Sequence, residues 1–175
     1  MRRSISLSLI IVLMLLSVPD SDADTEKAYQ DWALRCQDDE TCKLEQQVFV
    51  KGADKAPLVH VIFHSQGQSH DLATLLVVPL GVLIGPGLQL RVDGGSPQTF
   101  PLNHCRSEGC LAVFPLSTEL RQSLEAGREA QLSFHTLNGR RIGVPVSLLG
   151  ITAGLKALDK HMNSNMQTED QPIKP

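Results

Sequence analysis

The stretch from residue 72 to residue 90, LATLLVVPLGVLIGPGLQL, contains no charged residue. Nineteen uncharged residues are long enough to cross a bilayer as a helix. Pro79 and Pro86, however, lack the backbone N–H that a helix uses, and the three glycines of the stretch weaken a helix further. Two short buried strands that separate around Pro79, with a Gly-Pro-Gly turn at 85–87, fit the stretch better. We therefore predict strands here and no transmembrane helix.

Short runs of alternating polarity recur along the rest of the chain, between turn signals. In LVHVIFH (58–64), two valines and a phenylalanine share one face of a strand, and His60 and His64 lie on the other. Similar runs occur at 44–50, 88–93, 130–136 and 141–148. The last two are joined by Asn138-Gly139, which suits the positive φ of a tight hairpin turn. Many short strands at this spacing predict a mainly β domain, either a sandwich or a barrel.

Two segments have the spacing of helices instead. Leucines at i, i+4 and i+8 predict a helix over 117–126, with Ser117 as the N-cap and Gly127 as the stop. A second set recurs at helical spacing near the end of the chain: Leu148, Ile151, Leu155, Leu158 and Met162. Its apolar face could dock on a partner, but we favour packing on the sandwich. Residues 163–175 are polar and without periodicity, which predicts a disordered tail.

The N-terminus has the features of a secretory signal peptide. Arg2 and Arg3 precede an apolar run at 5–18, and small residues at 21 and 23 suit a signal peptidase. The alternative is a membrane anchor, but this run is short beside the roughly 20 residues of a bilayer span. We expect cleavage after Ala23, a flexible lead-in, and one domain at 24–162. The expected location is the periplasm, the outer membrane or the medium.

Composition and motifs exclude several classes of function. The net charge is −3, the charges are interspersed, and aromatic residues make up 4% of the chain, so we expect no nucleic-acid binding. The sequence contains no G-x-S-x-G, S-x-x-K or H-E-x-x-H motif, and neither a P-loop nor a dinucleotide-binding glycine pattern. We therefore predict that the protein is not an enzyme and carries no cofactor.

The four cysteines predict disulfides, because their count is even and the chain is exported. Neither close pair has the C-x-x-C spacing of a thioredoxin-like site. Three connectivities are open, and loop entropy would make the long cross-links the more stabilising ones. The two close spacings nevertheless favour local pairing, and Gly109 allows a tight bend before the last cysteine. We predict the pairs Cys36–Cys42 and Cys105–Cys110.

The histidines offer an alternative function. His104 could join the neighbouring cysteines and a distant histidine around a metal ion, but in an oxidising compartment these thiols bond to each other instead. In a strand, His60 and His64 lie roughly 13 Å apart, too far to share one ion. His70 follows a turn and could approach another strand. The alternative is therefore an envelope stress factor that binds metal or a small ligand through His60, His64, His70 or His104.

Several stretches carry a resemblance to a known family. The order DWALRC, VVPLGVLIGPGLQLRVDGG, FPLNHCRSEGCLAVFP and AQLSFHTLNGRRIGVPVSLLG resembles the invasion-associated locus B family of exported bacterial proteins. The most specific piece is C-x-x-x-G-C, at Cys105, Gly109 and Cys110. The resemblance covers residues 32–158. Ile151 stands where family members often have an aromatic residue, a departure that concerns local packing.

The resemblance implies a β-sandwich of immunoglobulin-like type with one or two short helices, in the periplasm or at the outer membrane. The family's founding member is linked to host-cell invasion. No catalytic residues are established for the family, so none are carried over. We expect a non-enzymatic protein that binds an unidentified protein or envelope component through an apolar surface patch or an open sheet edge, with a role in invasion or virulence in a pathogen.

Overall fold

The computed structural model describes residues 25–37, 41–50, 56–65 and 71–169, with side chains as far as residue 163. The expected signal peptide at 1–23 lies outside the described residues. His70 and residues 170–175 lie outside them as well. Within the described residues, no helix is long and apolar enough to cross a membrane.

The described residues form eleven strands and two helices. The strands are β1 (Thr25–Tyr29), β2 (Trp32–Cys36), β3 (Cys42–Val48), β4 (Val59–Ser65), β5 (Leu72–Val78), β6 (Leu88–Val92), β7 (Gln98–Phe100), β8 (His104–Arg106), β9 (Gly109–Pro115), β10 (Glu129–His135) and β11 (Arg141–Ser147). The helices are α1 (Thr118–Ala126) and α2 (Ile151–Glu169).

The strands make two antiparallel sheets. The larger sheet has the order β1-β2-β3-β4-β5-β9-β8, and the smaller one has the order β11-β10-β6-β7. The first five strands are therefore neighbours in chain order, joined as successive hairpins. Asn138 and Gly139 form the tight turn between β10 and β11, where Gly139 has a φ of +78°. The predicted mainly β fold with two helices is confirmed, although α2, with 19 residues, is longer than the short helix expected.

The uncharged stretch forms two strands separated by a turn, as its prolines and glycines indicate. β5 ends at Val78, the residue before Pro79, and β6 begins at Leu88 after the Gly-Pro-Gly turn. Gly87 in this turn has a φ of +67°, and a Cβ there would collide with the Phe100 carbonyl oxygen. Only glycine can therefore occupy this position without a shift of the backbone.

The core lies between the two sheets. Trp32 and Phe63 of the larger sheet are 1% exposed, and their rings are 5.5 Å apart between centroids. They face Leu132 of the smaller sheet, which is fully buried. Helix α1 adds Leu120 and Leu124, which line the same core. The alternating runs of the sequence thus place their apolar residues between the layers.

Both predicted helices are present. Ser117 caps α1, and its Oγ accepts a hydrogen bond from the Leu120 N–H. Helix α2 packs on β2 and β3 through side chains such as Leu155 and Leu158, which are fully buried. The prediction that this helix packs on the sandwich is therefore confirmed. Helix α2 runs to Glu169, beyond residue 163, where an irregular tail was expected.

Residues 24–30 were expected to be a flexible lead-in, but Thr25–Tyr29 form strand β1 instead. Their backbone pairs with β2 in five register positions, from Thr25 opposite Cys36 to Tyr29 opposite Trp32. Four of the five residues are exposed, as in an edge strand that backbone hydrogen bonds hold in place. The expectation of a flexible lead-in was wrong for this reason.

Replacing Thr74 with valine is expected to stabilise the protein. Thr74 is 3% exposed, and its Oγ1 makes no hydrogen bond to any group in the described part of the chain. It lines a cavity of about 20 Å³ whose other walls are apolar. Thr74→Val removes a buried, unpaired hydroxyl, so the free energy of unfolding should rise by about 1 kcal/mol. Denaturant titration measures the change.

The exposed strand residue Thr99 supplies the control for this substitution. Thr99→Val should change the free energy of unfolding by less than about 0.5 kcal/mol. A loss of stability in Thr74→Val would show that the hydroxyl has a partner in the folded protein.

Candidate functional site

The larger sheet has one face against the core and a second, outer face. Because side chains alternate along a strand, the residues between the core positions of β2 to β5 and β9 share the outer face. They are Ala33, Arg35, Lys43, Glu45, Gln47, His60, Ile62, His64, Ala73, Leu75, Val77, Leu111 and Val113, and Glu26 of β1 joins them. This outer face is charged at one side and apolar at the other.

The charged side is organised around Glu45. Arg35 Nη1 lies 2.8 Å from Glu45 Oε1, and Lys43 Nζ and His60 Nε2 each lie 3.0 Å from Oε2. Glu26 completes the group, because its Oε2 lies 3.3 Å from Arg35 Nε. We call these five residues the ionic cluster. Strands β1 to β4 each contribute to it, so the cluster exists only when these strands are in register.

Glu45 is the buried member of the ionic cluster. It is 3% exposed, whereas Arg35 and Lys43 are 45% and 44% exposed. Burial by itself raises the pKa of Glu45, but hydrogen bonds from His60 and Lys43, together with the Lys43 charge, outweigh it and lower the pKa to about 2. Glu45 is therefore ionised at any ordinary pH, and its charge is compensated within the cluster.

The half of the outer face that β4, β5 and β9 form is an apolar patch. It is formed by Ile62, Leu75, Val77, Leu111 and Val113. Ile62 stands opposite Leu75, which stands opposite Val113, and Val77 stands opposite Leu111. Val113 is 40% exposed, Leu75, Val77 and Leu111 are partly exposed, and Ile62 is buried at 9% exposure. Contiguous exposed apolar side chains of this kind mark interaction surfaces in soluble proteins.

The smaller sheet shows what a water-facing surface looks like in the same molecule. On β6 and β10 the residues between the core positions are Gln89, Arg91, Gln131 and Ser133. Arg141 of β11 donates hydrogen bonds to Ser133 Oγ and Gln89 Oε1 on that face. This face therefore has the polar-out alternation of a solvated antiparallel sheet, and the apolar patch departs from it.

The structure contains both disulfides that the close spacings favour. Cys36 pairs with Cys42 and Cys105 with Cys110, and each pair is a register position of adjacent strands. Gly109 has a φ of +145°, and a Cβ there would collide with the Val78 carbonyl oxygen. The glycine of C-x-x-x-G-C is thus required by the close approach of β9 to β5. Both pairs hold hairpins together.

The candidate histidines do not converge. His60 and His64 both lie on the outer face of β4, but His60 contacts Glu45, and His64 Nδ1 lies 2.8 Å from the Ser65 carbonyl oxygen. His104 is exposed on β8, opposite Leu111. Among the described residues, none of these three belongs to a trio of side chains close enough to hold one ion.

Sequence reasoning did not single out the outer face, although one signal was present. The run LATLLVV of β5 is apolar, apart from one threonine, at the outer positions as well as the core positions. Such a continuous run is typical of strands that are covered on both faces. The ionic cluster gave no comparable signal, because Glu45 reads as an ordinary surface residue of an alternating strand.

Comparisons with known proteins agree with this architecture. The family model for invasion associated locus B (IalB) protein matches residues 32–159. Invasion protein B homologs of Brucella abortus, from strain 2308 and from biovar 1 strain 9-941, are 25% identical over 145 residues, which is 79% of this chain and 82% of theirs.

The same architecture is found in a solved structure. The crystal structure of invasion associated protein B from Bartonella henselae is 19% identical and superposes with a TM-score of 0.71, covering 79% of this chain and 99% of that one. Because the family model spans more than half of the sequence, the chain belongs to the invasion associated locus B family.

Proposed function

We propose that this is an exported, non-catalytic protein of the bacterial envelope that binds a protein or another envelope component through the outer face of the larger sheet. The observation that carries the proposal is the contiguous apolar patch of Ile62, Leu75, Val77, Leu111 and Val113, of which all but the buried Ile62 are at least partly exposed. A binding partner would remove this apolar area from water.

The surroundings of the patch support a binding role. The ionic cluster borders the patch directly, since Glu45 stands opposite Ile62, and His60 stands opposite Val77. An apolar centre with charged groups at its margin is the usual anatomy of a protein interface. The charges of the cluster compensate each other, so they can border an interface without leaving Glu45 unpaired.

Export is supported by the disulfides and by the sequence before the domain. Cystines persist in oxidising compartments such as the periplasm and are rare in the cytosol. All four cysteines of this chain are bonded. The basic and apolar run of residues 2–18 has the pattern of a signal peptide. Together these features favour the periplasm, the outer membrane or the medium.

Site-specific photo-crosslinking in intact cells tests the proposal. A photoreactive amino acid replaces Val113 in the patch or, as the matched control, Gln131, an exposed strand residue on the outer face of the smaller sheet. We expect a discrete adduct in the envelope fraction from position 113 and none from position 131. Mass spectrometry of the adduct identifies the bound component.

Two further results decide the proposal. No adduct from position 113, or the same adduct from both positions, would contradict binding by the outer face. Val113→Arg places a charge in the patch and should weaken binding of the identified component at least tenfold.

The names of the relatives indicate the phenotype to measure. The Brucella and Bartonella proteins are named for invasion. We therefore propose that, in a host-associated bacterium, the outer face contributes to host-cell invasion. The readout is the number of internalised bacteria, compared between the wild type and the Val113→Arg strain.

A further inference from the structure

A separate group of donor atoms lies where helix α2 covers the β2–β3 hairpin. Cys36 Sγ, Cys42 Sγ and a ring nitrogen of His161 all lie within 4.8 Å of one another. The two cysteines are 8% and 5% exposed, and His161 is partly buried. Among the described residues, these are the three donor side chains that lie close enough together to surround one ion.

Packing of helix α2 on the sheet brings His161 to the β2–β3 hairpin. Leu155 and Leu158 of α2 are fully buried against the sandwich, and His161 follows Leu158 by three residues, on the same side of the helix. Gly154 lets the helix approach the sheet closely, because a Cβ there would lie 2.5 Å from Leu44 Cδ1. Leu44 and Cys42 share one face of β3. We therefore expect the three donors to stay close to one another when the disulfide opens.

We propose that Cys36, Cys42 and His161 form a zinc site that is created by reduction of the Cys36–Cys42 disulfide. Two thiolates and one imidazole are a ligand set that Zn²⁺ binds in proteins, with water as the fourth ligand. Tetrahedral Zn²⁺ places such ligand atoms roughly 3.5 to 3.8 Å apart. The two sulfurs are bonded to each other in this structure and must move apart by roughly 1.7 Å after reduction, whereas the His161 ring nitrogen already lies within 4.8 Å of both. The proposal does not rest on the function of the outer face.

In the oxidising compartment proposed above the cystine is the resting form, so the site forms only when a dithiol reductant acts on it. The dithiol gives two electrons and two protons to the cystine, which becomes two cysteine thiols, and the dithiol becomes its own disulfide. Zn²⁺ then displaces the two thiol protons as both sulfurs bind the ion. In the reverse reaction a disulfide oxidant takes two electrons from the two thiolates and two protons from water and becomes a dithiol, so the cystine forms again and Zn²⁺ is released. The bound ion would join helix α2 to the hairpin, whereas the disulfide joins only the two strands.

Zinc titration under anaerobic conditions tests the site. The reference protein carries Cys105→Ser and Cys110→Ser, so that one cysteine pair remains. After reduction with a phosphine, we expect one equivalent of Zn²⁺ to bind in competition with a chelating indicator, and none before reduction. His161→Gln should weaken binding at least tenfold. Affinity should also fall as the pH is lowered, because protons compete for both sulfurs.

Co²⁺ provides a second readout, since its visible absorption reports tetrahedral thiolate coordination. Absence of zinc binding by the reduced reference protein, or equal affinity in His161→Gln, overturns the proposal. If the reference protein does not fold, the same comparison uses the reduced wild-type chain. There, His161→Gln must weaken the binding of one Zn²⁺ at least tenfold relative to the reduced wild-type chain.

Discussion

Gly150→Ala is expected to lower the free energy of unfolding by at least about 3 kcal/mol. Gly150 has a φ of +90°, a conformation that costs an L residue roughly 1–2 kcal/mol. A Cβ at this position would also collide with the Tyr29 carbonyl oxygen, which is backbone and cannot rotate away. The substitution must therefore displace either the start of α2 or the turn between β1 and β2. Thermal unfolding should show a fall in Tm of roughly 6–12 °C.

Gly139 is the matched control for this prediction. It has a φ of +78°, but a Cβ there would meet no atom within 4 Å. Gly139→Ala therefore carries the conformational cost alone, and we expect a loss of about 1 kcal/mol. Equal losses at the two positions would show that the contact with Tyr29 does not decide the stability of Gly150→Ala.

The alternating strands and capped helices of this fold could be predicted from the sequence, because their signals are local. The alternation in LVHVIFH predicts both the strand and its buried face, and Ser117 with Gly127 sets the ends of α1. β1 could not be predicted, because its side chains are mostly exposed and its position comes from backbone pairing with β2. The assignment of strands to two sheets likewise depends on distant contacts.

The outer face was only partly predictable. The apolar run of β5 is visible in the sequence, but the patch also needs Ile62 from β4 and Val113 from β9, which the register of three strands brings together. Cys36 and Cys42 were expected to bond to each other, whereas His161 is more than a hundred residues away in sequence and reaches them only through the packing of α2.

Glu45→Gln should lower the free energy of unfolding at pH 7 by about 2 kcal/mol. The pKa of Glu45 falls from an ordinary value of 4.5 to about 2 in the folded protein, which corresponds to at most roughly 3 kcal/mol. Because Arg35 and Lys43 are nearly half exposed, solvent screening reduces this contribution. Glutamine keeps the shape but leaves the three basic neighbours without the buried carboxylate. Urea titration at pH 7 measures the difference.

The exposed residue Glu129 provides the control, and Glu129→Gln should change stability by less than about 0.5 kcal/mol. The pH dependence gives a second check. Because the pKa of Glu45 is lower in the folded protein than in the unfolded chain, its ionised carboxylate stabilises the fold fully above about pH 4.5. This stabilisation is lost as the pH falls towards 2. The wild-type and Glu45→Gln curves should therefore converge on the acid side. Curves that stay parallel would contradict the role given to Glu45.

The same variant separates the two halves of the outer face. If the ionic cluster holds strands β2 to β4 in register and the apolar patch binds the partner, Glu45→Gln should lose stability yet still form the adduct from position 113 at a temperature where it is folded. Val113→Arg should show the reverse, with binding lost and stability changed by less than about 1 kcal/mol, because Val113 is 40% exposed. Loss of the adduct in folded Glu45→Gln would instead place the cluster within the binding surface.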